Sequence, residues 1–156
     1  MKKTAIYIII LVTTITLNAK WATITLQDHI KRSSLIVVAQ FEKEIEKKST
    51  DVGEVQLVSF RPIESIKGET NSSFVVEGTA LYMCIAQMIF PVTPEAKYLL
   101  FLTKGDDGNY HLTHGERSGL LIENDKLNWV KDRTKIDWGS EEMSIDKVKE
   151  EIESLL

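Results

Sequence analysis

The chain has 156 residues, 43% of them hydrophobic and 27% charged, with a formal net charge of −4. That composition describes one globular domain with enough apolar residues for a real core, and it excludes a disordered chain. The acidic balance, with no Lys/Arg-rich face alternating with aromatics, argues against nucleic acid or an anionic membrane as partner, and the single cysteine, Cys84, excludes an internal disulfide.

Lys2 and Lys3 precede an apolar run from Ala5 to Leu17, the charge and hydropathy pattern of a secretory signal peptide. The run is shorter than the about 20 apolar residues that a membrane-spanning helix needs. Residues 1–19 therefore read as the signal, with cleavage after Ala19. Residues 20–156 then form one exported domain, periplasmic or extracellular, with no membrane anchor after processing. Losing Lys2 and Lys3 deepens the acidic balance.

Thr25 is placed to cap a short helix over "LQDHIKRS". "LIVVAQF" follows as a β-branched strand, and "EKEIEKKSTDVGE" reads as a charged, turn-like connection. "VQLVSFRPIESIKG" is a second strand whose apolar register shifts between Leu57 and Val58, as a bulge would make it do, and Pro62 suits a bulge or an edge. After the loop "GETNS", "SFVVEG" and part of "TALYMCIAQMIF" supply further strands, and "PVTPEA" breaks the chain before the strand "KYLLFLTK". "KGDDGN" is a hairpin turn leading to "YHLT", and "GLLIENDKLNWV" is a final hairpin turning at Asn124 and Asp125. Residues 144–156 close the chain as a helix capped by Ser144, with Ile145, Val148, Ile152 and Leu155 on one stripe.

"LIVVA" and "YLLFL" are apolar at both parities, so each strand needs cover on both faces. A small closed or partly open barrel of five to seven strands, its interior on one side of these strands and the two helices on the other, meets that need. The expected fold class is mainly β. The run "SSLIVVAQF", then "VQLVSFRPIESIKGE", "KYLLFLTK" and the hairpin "GLLIENDKL" resembles bacterial secreted proteins that are similar in layout to the OB-type barrel of netrin-like and tissue-inhibitor-of-metalloproteinase domains. The resemblance runs from about Thr25 to Val130 and implies fold and export. The inhibitors act through an N-terminal cysteine and a disulfide framework. Here the expected mature N-terminus is Lys20 and Cys84 stands alone, so that mechanism is not carried over.

His111 and His114 have the spacing H-x-x-H, but residues three apart on a strand point to opposite faces. Both could ligate one ion only if the chain had left the strand by Thr113 or His114, and a third ligand would still be needed. Asp106, Asp107 and Glu116 are near in sequence but fall in turns. A solvated hairpin pair is favoured over zinc or copper, and His29 on the short helix reads as superficial. Cys84, among apolar neighbours, reads as a buried, inert residue, and Trp129 as core. Trp21 and Trp138 remain candidates for a sticky surface, and the Glu141/Glu142 pair suits a helix entrance. No G-x-S-x-G, H-E-x-x-H, phosphate-binding glycine loop or C-x-x-C occurs. No residue is assigned a catalytic, cofactor-binding or metal-ligating role. The favoured reading is a non-enzymatic binding module for an envelope or extracellular protein. The alternatives are a protease-inhibitor-like activity, or an enzyme or metal-binding protein using His111 and His114.

Overall fold

Thr25 caps the first helix, α1 (Leu26–Arg32), through a reciprocal pair of hydrogen bonds. Its Oγ1 accepts from the Asp28 N–H at 3.1 Å, and the Asp28 carboxylate accepts from the Thr25 N–H at 3.1 Å. Seven residues are too few for a helix to persist alone in water. Docking holds it: Leu26, His29 and Ile30 are buried, Ser33 Oγ donates to the His29 carbonyl at 2.7 Å, and Lys67 Nζ donates to the Ile30 carbonyl at 2.6 Å. The structure is a computed structural model describing residues 24–49, 51, 53–81, 89–129 and 144–156. The signal segment 1–19, Trp21, Cys84, Trp138 and the Glu141/Glu142 pair lie outside the described residues, as do the side chains of Glu116 and Trp129.

Seven strands follow: β1 (Leu35–Ser49), β2 (Gly53–Lys67), β3 (Phe74–Leu81), β4 (Lys97–Lys104), β5 (Tyr110–Leu112), β6 (Gly119–Glu123) and β7 (Lys126–Trp129). The helix α2 (Ile145–Leu155) ends the chain. The strand order is β1-β2-β3-β5-β4-β6-β7, and β1 also pairs with β4. Five strands thus close into a barrel of OB type, while β6 and β7 extend the sheet outside it. The β3–β5 pair is parallel and the other pairs are antiparallel.

The expected charged turn after "LIVVAQF" is instead the outer half of β1. Lys43, Glu44, Glu46, Lys47, Lys48 and Ser49 pair with residues Ser59 back to Glu54, and the chain reverses only between Ser49 and Gly53. A ladder to the β-branched and apolar half of β2 outweighs the weak strand propensity of Glu and Lys, which lie exposed or half-exposed along it. The register does slip opposite Leu57 and Val58, and the extra residue is on β1: Ile45 has no partner and is 49% exposed. A second slip beside Pro62 leaves Ile63 unpaired and 50% exposed. Pro62 lies in the half of β2 that has no β3 neighbour, where a missing N–H costs nothing.

Parity sorts the core into two layers. Leu35, Val37, Ala39 and Phe41 of β1 and Tyr98, Leu100 and Leu102 of β4 face the barrel interior, among Phe60, Phe74, Val76 and Phe90. Ile36, Val38, Leu99 and Phe101 face outward, onto Leu26 and Ile30 of α1 and Ile145, Val148 and Ile152 of α2. The double apolarity of both strands is thereby explained. The α2 stripe is shorter than expected, because Leu155 in its last turn lies outside that cluster and is 45% exposed. Ser144 caps α2, accepting from the Lys147 N–H at 3.3 Å. Asn124 and Asp125 take φ of 51° and 61°, the left-handed pair that a tight two-residue hairpin requires.

Inside, Gln56 is 1% exposed and acts as a backbone substitute. Its amide accepts from the Phe90 N–H at 2.8 Å and donates to the Phe90 carbonyl at 3.0 Å. At the end of β2, Gly68 turns with φ of 74°, and a Cβ there would lie 2.5 Å from the Ser34 carbonyl oxygen. Gly68→Ala is expected to lower stability by roughly 1–3 kcal/mol, combining left-handed strain with a backbone clash. Denaturant unfolding at unchanged m checks it.

Candidate functional site

The parallel register of β3 and β5 puts Glu77 opposite His111. The β4–β5 turn brings a third group to the same place. Gly105 N–H donates to the Asn109 carbonyl at 2.8 Å, Gly108 takes φ of 85°, and the chain folds back so that Asp107 meets His111 four residues on. The imidazole stands between two carboxylates: Nδ1 is 3.8 Å from Glu77 Oε1, and Nε2 is 3.5 Å from Asp107 Oδ1. Asp107 is fixed by Asn109, whose N–H donates to Oδ1 at 3.1 Å and whose amide donates to Oδ2 at 2.8 Å. The Asn109 side-chain amide is the main reason its carboxyl is held below the usual range. A side chain at position 105 would collide with the His111 ring and lie 2.6 Å from Asp107 Oδ1, so glycine is what lets these two groups settle over the turn.

His114 goes elsewhere. β5 ends at Leu112, and the His114 ring packs edge-on against His29, centroids 4.7 Å apart. The two histidines of H-x-x-H therefore meet different neighbours. His29 is not superficial: it is 0% exposed, with Phe101 at 5.1 Å on another side. The reason is its spacing, since Leu26, His29 and Ile30 share the helical face that docks on the barrel. Burial is the largest cause driving the His29 pKa down to about 3, and burial likewise lowers that of His114.

Ser118 Oγ lies 3.4 Å from His29 Nδ1, the pairing that a serine nucleophile would use. Two facts argue against that role: both residues are fully buried, and an imidazole whose pKa is driven down to about 3 is a weak base at neutral pH. The group also joins packed elements, with Ser118 Oγ accepting from the His114 N–H at 2.7 Å. Around it, Ser33, Thr113 and Thr103 form a chain of hydroxyl contacts at 3.0 Å each, and Thr103 Oγ1 donates to the Arg32 carbonyl at 3.3 Å, tying the end of α1 to β4.

The helices cover the outer side of β1 and β4 and reach the Glu64–Lys67 end of β2, whereas the outer side of the rest of β2, and of β3 and β5, has different contents. Outward residues there alternate with the buried Gln56, Val58, Phe74 and Val76. Val55 pairs with Thr79, Leu57 with Glu77 and Ser59 with Val75, and Val55, Leu57, Val75, Glu77, Thr79 and His111 are all half-exposed. An apolar strip thus runs beside the Glu77–His111–Asp107 cluster, flanked by the β1–β2 and β4–β5 turns. Sequence reasoning had His111 and Asp107 but missed Glu77, which comes from a remote strand through a parallel pairing that no local pattern encodes. Among the described residues, no helix is long and apolar enough to cross a membrane. No protein-family model matches the chain, and a search of curated proteins returns no match.

Proposed function

We propose that this protein is an exported, non-enzymatic binding module of the periplasm or cell exterior, which holds another protein on the outer face of β2, β3 and β5. The observation that carries the reading is the half-buried strip of Val55, Leu57 and Val75, none of which belongs to the cluster that packs under α1 and α2 among the described residues. In barrels of this type the second and third strands, with the loops after the first and fourth, form the face that takes oligonucleotides and oligosaccharides, and the same face is assigned here to a different class of partner. Apolar residues on a half-buried sheet suit a protein partner, and the neighbouring carboxylates of Glu77 and Asp107 disfavour a polyanion. The likeness to exported proteins with netrin-like barrels supports the same compartment and class, and as fold analogy it is an associational warrant.

A photo-reactive residue at position 75 is expected to give a defined adduct in the producing cell, whereas one at position 149 on α2 gives none. Leu57→Lys, which keeps the melting temperature because its side chain points outward, abolishes the position 75 adduct. An adduct unchanged by Leu57→Lys, or equal yields from both positions, overturns the assignment of this face. Intact mass of the exported form checks processing, with Lys20 expected as its first residue.

A further inference from the structure

We propose that Glu77, Asp107 and His111 bind a divalent transition-metal cation of zinc-like chemistry, with the remaining coordination positions taken by water. One imidazole and two carboxylates are a donor set that suits zinc, copper or nickel. One ligand atom from each residue lies within 4.8 Å of the other two. Ligands about 2.0–2.2 Å from a tetrahedral ion are separated by about 3.4 Å, so the contacts of 3.5 and 3.8 Å already approach that spacing. They involve different ring nitrogens. A cation at Nε2 beside Asp107 Oδ1 therefore requires the Glu77 side chain to turn toward it.

Charge supports the same assignment. Even a protonated imidazole balances only one of the two carboxylates, whereas a dication balances both. Preorganisation comes from the surroundings. Asn109 orients the Asp107 carboxylate through two hydrogen bonds, as outer partners of metal ligands do, and Gly105 keeps the space against Nε2 and Oδ1 clear of a side chain. All three ligand side chains are part-exposed, so an ion can enter. The site needs no protein partner, so its test is independent of the binding-module reading.

The test is calorimetric titration of the exported-form protein with zinc chloride alone, with the histidine ring nitrogens followed by NMR. One equivalent is expected, with the His111 signals shifting while those of His29 and His114 stay in place. His111→Gln, Asp107→Asn and Glu77→Gln should each weaken binding by about tenfold or more, with melting temperatures in the absence of metal showing that the variants remain folded. No heat up to millimolar zinc, unchanged affinity in His111→Gln, or shifts confined to other histidines overturns the site and leaves the cluster as an ion-paired triad only.

Discussion

Acidification from pH 7 to pH 5 is expected to cost this protein about 2 kcal/mol of stability through His29 alone. The ring is sealed between α1, Phe101 and His114, and its pKa falls from 6.5 to about 3 in the folded state. An unfolded chain takes up the proton near pH 6.5 while the native one does not. The stability tied to a neutral His29 is thus complete above that pH and drains away as pH falls toward 3, at about 1.4 kcal/mol per unit. His114, also shifted down, adds to the loss in the same direction. His29→Leu keeps an apolar group on the docking face of α1, and Ser118 keeps its bond to the His114 N–H. The variant should therefore show a much flatter stability profile between pH 7 and 5. Carboxylates with lowered pKa titrate below that window, so urea unfolding at several pH values isolates the histidines. Parallel profiles for the native protein and His29→Leu would count against the burial argument.

Val148→Asp should be worse still at neutral pH, with a loss of about 3 kcal/mol or more. Val148 is 3% exposed and sits with Ile145 and Ile152 on the outward residues of β1 and β4. A carboxylate there has no partner within the apolar cluster. Truncation after Gly139 should do comparable damage, because it uncovers strands that are apolar on both faces, and aggregation is the expected phenotype. Lys149→Ala is the control. Its ammonium pairs with Glu64 at 2.5 Å, but at the surface, where such a pair contributes about 0–1 kcal/mol. Melting temperatures of the three variants decide the matter, and an unshifted truncated protein would mean that α2 serves a partner instead of the barrel.

The barrel was legible because its evidence is redundant. Two strands apolar at both parities demanded cover on both faces, and the capping residues Thr25 and Ser144 and the Asn124–Asp125 turn each specify local geometry by their own chemistry. What escaped the sequence depends on remote partners. Glu42 to Ser49 look like a solvated linker until β2 supplies their ladder. His29 looks like a polar surface residue unless its place between Leu26 and Ile30 is given more weight than its residue type. Glu77 is invisible as a neighbour of His111, because the parallel β3–β5 contact is created by closure of the whole barrel and by nothing within either strand.

The clamp that Gln56 places on Phe90 bears on what kind of molecule this barrel can recognise. With its backbone held at both hydrogen-bonding groups, Phe90 lies 5.1 Å from Phe60 and 5.6 Å from Tyr98, ring to ring, and Phe41 and Phe74 pack on Phe60 from other sides. Wider barrels of other families use their lumen as a container for a lipid or a pigment. Among the described residues this interior is filled by aromatic rings, so a hydrophobic small molecule entering between them would have to displace a ring whose backbone is tied down. Such a ligand should not raise the melting temperature. On the proposed reading, recognition falls to the exterior wall, whose side chains can be exchanged without disturbing the plug.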